Sequence, residues 1–61
     1  MKEGQILIHR YYPEISIELV ARTNRGWRVN ETTTYPGRRK KPRTAVKYYD
    51  KLTITTMFQA A

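Results

Sequence analysis

This chain is predicted to be all-β, with four strands and room for a fifth. Three observations carry the prediction. Apolar and polar residues alternate with period two in several stretches, and no segment shows the 3.6-residue recurrence of an amphipathic helix. Those stretches are rich in Ile, Val, Thr and aromatic residues, which suit a pleated, half-buried surface. Turn formers separate them: Pro13, Asn24, Gly26, Pro36, Gly37 and Pro42.

The first strand is expected over Gln5 to His9. Ile6 and Ile8 share one face, and Leu7 and His9 the other, so the strand should be covered on more than one side. Gly4 lets the chain turn into the sheet. His9 is expected on a half-exposed face. Arg10 to Glu14 reads as a connection, because Pro13 holds Tyr12 extended and has no N–H to donate to a ladder. Tyr11 and Tyr12 are expected to close one end of a small core rather than to stack on a ligand. Ile15 to Thr23 is the clearest strand. Ile15, Ile17, Leu19 and Ala21 point one way, Ser16, Glu18 and Arg22 the other, and Val20 breaks the alternation.

Thr23-Asn-Arg-Gly26 is a hairpin turn, with Asn24 and Gly26 at positions that tolerate φ > 0 and a loop of three or four residues. The third strand follows over Trp27 to Thr33, with Trp27 the largest core residue. Thr44 to Asp50 fits either a strand or one helical turn. Leu52 to Phe58 is read as a strand, with Leu52, Ile54 and Phe58 on one face and Lys51, Thr53, Thr55 and Met57 on the other. Residues 59–61 are expected to fray.

Sixty-one residues make one domain, 1–61, that buries about 60% of its unfolded surface. The chain has no cysteine and a single histidine, so neither a disulfide nor a zinc site is available to staple it. Stability must come from packing or from a partner, a second copy included. Four or five twisted strands of this size can curl into a small barrel that hides its edges.

The order of elements is strand, connection, long hairpin, basic loop, short element, last strand. With Gly4-Gln-Ile-Leu7, the hairpin Leu19 to Val29 and Gly37-Arg-Arg39, it resembles the small SH3-like barrels of the Tudor and KOW type. These include short basic proteins encoded by bacteria and bacteriophages. The resemblance implies a four- to five-stranded SH3-like barrel. The alternative is a strongly curved open antiparallel sheet that dimerises. Folds of this kind carry unrelated functions, so the resemblance implies no ligand.

Charge is the guide to function. The chain has 12 basic and 5 acidic residues, a net +7, and pI ≈ 10.2. Residues 35–49 hold Arg38, Arg39, Lys40, Lys41, Arg43 and Lys47 and no acid, so nearly all of the excess belongs to one segment. Its core is a basic loop at 35–43, stiffened by Pro36 and Pro42. Such focused charge points to a polyanion. The principal expectation is a non-catalytic nucleic-acid-binding protein, for DNA or RNA. Arg38, Arg39, Lys40, Lys41, Arg43 and Lys47 would contact phosphates, and Arg28 and Arg25 would widen the patch if they lie beside it. Tyr35, Tyr48 and Tyr49 flank the charge and either stack on unpaired bases or pack against the domain edge. No recognition helix or finger is present to read base edges, so little sequence preference is expected.

The alternative is an interaction module that docks on an acidic host-protein surface, such as a phage-encoded inhibitor, with Tyr11, Tyr12 or Met57 as an apolar anchor. A nuclear-import signal in Arg38 to Arg43 ranks last. Catalysis is not expected. The three glycines are isolated, no Cys/His pair exists, the one serine lies mid-strand, and the acids are scattered. No cofactor or metal is expected. No apolar run is long enough for a signal peptide or a membrane span, which gives a cytoplasmic expectation, in the host if a phage encodes the chain.

Overall fold

The computed structural model describes residues 1–35 and 41–61. The elements are β1 (Ile6–His9), β2 (Ile15–Thr23), β3 (Gly26–Thr33), β4 (Arg43–Tyr49), α1 (Lys51–Met57) and β5 (Phe58–Ala60). The all-β expectation holds. The five strands form one antiparallel sheet in the order β4-β3-β2-β1-β5, and α1 links its two edge strands.

β1, β2 and β3 follow from their local patterns. β2 and β3 pair over most of their lengths, with Leu19 opposite Val29 and Ile17 opposite Glu31. The register shifts between Leu19 and Ala21, which leaves Val20 as the extra residue of a bulge. The break in alternation at Val20 is visible in the sequence, but its consequence is not. Beyond the bulge Ala21 pairs with Arg28 and leaves the core side on which it was expected. Thr23 pairs directly with Gly26, so the turn has two residues, Asn24 and Arg25, rather than three or four. Thr23 Oγ1 accepts the Arg25 N–H at 3.3 Å, and Asn24 does not adopt positive φ. Gly26 does, at φ 153°, and a Cβ there would collide with the Tyr49 carbonyl oxygen and the Asp50 Cα. Glycine is thus needed where the hairpin passes the end of β4.

The stretch expected as the last strand is instead a helix followed by a short strand. Asp50 Oδ1 accepts the Thr53 N–H at 2.7 Å and caps α1. In a helix Ile54 and Phe58 are one turn apart, and both are buried, whereas Leu52 points away and is 74% exposed. The helical period therefore separates Leu52 from the two residues that a strand would have placed beside it. Thr53, Ile54, Thr55 and Thr56 have little intrinsic preference for helix, so packing against the sheet decides the conformation. Gln59 and Ala60, expected to fray, pair with Ile8 and Leu7.

The core is Leu7, Ile17, Leu19, Trp27, Val29, Ile54 and Phe58, with Ile15, Tyr49 and Met57 packed against it. Trp27 is buried as expected. His9 is buried rather than half-exposed. Its Nδ1 accepts the backbone N–H groups of Tyr11 and Tyr12 at 3.1 and 3.2 Å, and its ring meets Phe58 edge-on at 5.0 Å. That hydrogen bonding turns the connection outward. Tyr11 and Tyr12, expected to close the core, are 67% and 55% exposed.

Candidate functional site

β4 is a strand, which sets the direction of the side chains from Arg43 to Tyr49. Its register with β3 sets Tyr49 opposite Trp27, Tyr48 opposite Arg28, Lys47 opposite Val29 and Arg43 opposite Thr33. Neighbours along a strand point to opposite faces, and cross-strand partners share one. Tyr49, Lys47 and Arg43 therefore lie on the side of the sheet that carries Trp27 and Val29. Tyr48, Val46 and Thr44 lie on the outer side with Arg28, Asn30 and Thr32. The 3.2 Å contact between Thr32 Oγ1 and Thr44 Oγ1 marks that outer face.

The two adjacent tyrosines thus part company. Tyr49 packs against the core, its ring 5.7 Å from that of Phe58. Its hydroxyl donates to Glu31 Oε1 at 2.6 Å. Burial, then the hydrogen bond to Glu31 and the charge on that carboxylate, push the Tyr49 pKa from 10.0 up to about 12. Tyr48 is 70% exposed, opposite Arg28, which is itself exposed. Tyr35, half-buried, follows β3.

The predicted cations fall into separate groups. Arg25, in the β2–β3 turn, lines a shallow cleft with Thr23, Asn24 and Tyr48. Arg28 joins this end through Tyr48. Lys41 and Arg43 lie at the other end of β4, roughly 20 Å away by strand length. Lys47 lies between the two ends but on the opposite face from Tyr48 and Arg28. It is exposed there, as are Ala45 and Arg43. Arg38, Arg39 and Lys40 lie outside the described residues. The described members of the predicted set therefore lie on both faces of β4, on the outer face of β3 and at the hairpin tip, not in a single patch.

The outer face also holds residues that charge alone does not mark. Asn30, Thr32 and Thr44 offer hydrogen-bonding groups in adjoining rows, and Val46 is 58% exposed among them. The alternation of Thr44, Val46 and Tyr48 is the signal for this face, but it stays silent until residues 44–49 are known to be a strand. Glu18 opposite Asn30 is an acid on the same side. Asp50 lines a neighbouring part of the cleft with Arg25 and Tyr48. The hydrogen bonds from Thr53 hold its carboxyl below the usual range. Among the described residues no group of three or more His, Cys, Asp or Glu could hold a metal ion, and no helix is long and apolar enough to cross a membrane.

No family model, no curated protein and no solved structure matches this chain.

Proposed function

We propose that this protein binds nucleic acid, without catalysis and with little sequence preference, through β4 and the outer face of β3. The observation that carries the proposal is the exposed ring of Tyr48 opposite the exposed guanidinium of Arg28, on the edge of a chain with net +7. An aromatic face accepts any unpaired base, and a neighbouring arginine supplies a phosphate or cation–π contact. Arg25 at one end and Lys41 and Arg43 at the other extend the positive field along the strand, in a direction a phosphodiester backbone can follow. Arg38, Arg39 and Lys40 add to that field whatever their geometry. The SH3-like likeness and a cytoplasmic location belong to the same proposal.

Fluorescence titration with short single-stranded and duplex DNA and RNA, at two salt concentrations, tests the reading. Affinity should fall steeply with salt and vary little with base sequence. Binding that ignores salt, or none at low salt, would end it.

A second reading rests on Val46 and Tyr48, apolar surface set among cations, which also suits an acidic protein partner. Capture of a single host protein that survives nuclease treatment would favour it.

A further inference from the structure

Neither nucleic acid nor an acidic partner bound on the outer face would use the backbone edge of β4. β4 ends the sheet, so alternate residues along it turn their N–H and C=O groups away from β3, with no strand beyond among the described residues. Its residues from Arg43 to Tyr48 are exposed on both faces. The opposite edge, β5, is only three residues long.

We propose that β4 pairs with β4 of a second copy, antiparallel about a twofold axis at Val46, so that two five-stranded sheets become one. Charge selects this register. Antiparallel pairing needs outward-facing residues to meet outward-facing residues, so the axis must pass through a residue. An axis at Ala45 sets Arg43 opposite Lys47 of the second copy, and an axis at Lys47 sets the two lysines opposite each other; like charges so placed are unfavourable. An axis at Val46 pairs all seven residues and opposes no like charges. Val46 meets Val46, Thr44 meets Tyr48, Ala45 meets Lys47 and Arg43 meets Tyr49. Ala45 is opposite Glu31 within its own sheet, on the same face. The lysine of the second copy therefore lies across a methyl group from a carboxylate, about two strand spacings, or roughly 9.6 Å, between Cα atoms. Its extended side chain spans most of that. Edge lysines and arginines usually discourage strand addition. Here they exclude the two neighbouring registers, and an axis at Thr44 or Tyr48 would pair only three residues of the strand.

The pairing is independent of the ligand, and it would set two copies of the Tyr48 and Arg28 surface on one continuous face. Its area is small, so association in the micromolar range is expected. Sedimentation of nuclease-treated protein in high salt, from about 1 µM to about 1 mM, should show twice the chain mass at the upper end. Because the natural chain has no cysteine, Val46→Cys reports the axis directly. Opposed Cα atoms in such a pair lie about 4.5–5.5 Å apart, within disulfide range. Oxidation should cross-link V46C to itself. T44C and Y48C should each stay single alone and cross-link when mixed. Ala45→Lys should remain folded, since it gains Glu31 as a neighbour, yet abolish the dimer by facing Lys47. A natural chain of single mass throughout, V46C that cross-links no faster than T44C, or A45K that still dimerises would overturn the proposal.

Discussion

The phenol of Tyr49 donates a 2.6 Å hydrogen bond to Glu31 Oε1, although the cross-strand partner of Tyr49 is Trp27, four residues away along β3. The side chain therefore reaches along the strand axis on the covered face of the sheet. It ties the last residue of β4 to the middle of β3 at the point where the helix leaves the sheet.

Removing that tie should be measurable. Tyr49→Phe loses a charge-assisted hydrogen bond and leaves the Glu31 carboxylate without its phenol, for a loss of about 1–2 kcal/mol in urea denaturation. It should also change the alkaline limb. The folded pKa of about 12 lies above the unfolded 10.0, so the neutral phenol is favoured in the folded state. That stabilisation is complete below about pH 10 and is lost as pH rises through about 12. Urea midpoints in this window should fall in the natural protein and fall less in Y49F.

Asp50 should govern the acid side. Its carboxyl is held below the ordinary value of 3.8 by the hydrogen bonds from Thr53, so its contribution is present above that value and disappears as pH falls through the depressed folded pKa. Asp50→Ala should lower the thermal midpoint and flatten its acid dependence. Asp50→Asn should retain most of the neutral-pH stability, because asparagine also caps helices. Circular dichroism melts at neutral and acid pH separate the two variants.

Gly26→Ala should be among the most damaging single changes. The added carbon would meet backbone atoms of Tyr49 and Asp50, which cannot swing aside as a side chain can, and φ of 153° is itself unfavourable for alanine. A loss above about 2 kcal/mol is expected, a large share of the stability of a domain of this size, read as a markedly lower thermal midpoint. Asn24→Ala in the same turn should change stability by less than about 0.5 kcal/mol, since its backbone is conventional.

Binding variants should separate stacking from charge. Tyr48→Ala should weaken single-stranded DNA by about 1–3 kcal/mol and duplex by much less, with an unchanged salt slope. Replacing Arg38, Arg39, Lys40 and Lys41 together by serine should leave the melt unchanged and make the dependence of log affinity on log salt shallower, by about 0.9 for each duplex phosphate no longer neutralised. Equal weakening on both nucleic acids for Y48A would remove stacking from the proposal.

Much of the fold is legible in the chain itself. β1, β2 and β3 announce themselves through alternation, and Val20 marks its own bulge. The helix does not, because Thr53 to Thr56 is a β-branched run and the apolar residues at 52, 54, 57 and 58 fit both periods. Asp50 three residues before Thr53 is the available signal for a cap. The site is legible as charge and not as geometry. Lys47, Tyr48 and Tyr49 are consecutive, and period two says only that Tyr48 differs from its neighbours, not which of them faces solvent.

The first three strands, the basic excess and its concentration between Tyr35 and Tyr49 can be read from the chain alone, because composition and local alternation are properties of the chain. The tertiary structure decided which side of the sheet is inside. Helix α1 can cover only one face, and Ile54 and Phe58 bring it over Trp27 and Val29. That choice turns Tyr49 toward the core, where it is half-buried, and leaves Tyr48 exposed beside Arg28, while the strand order sets β4 at the edge of the sheet.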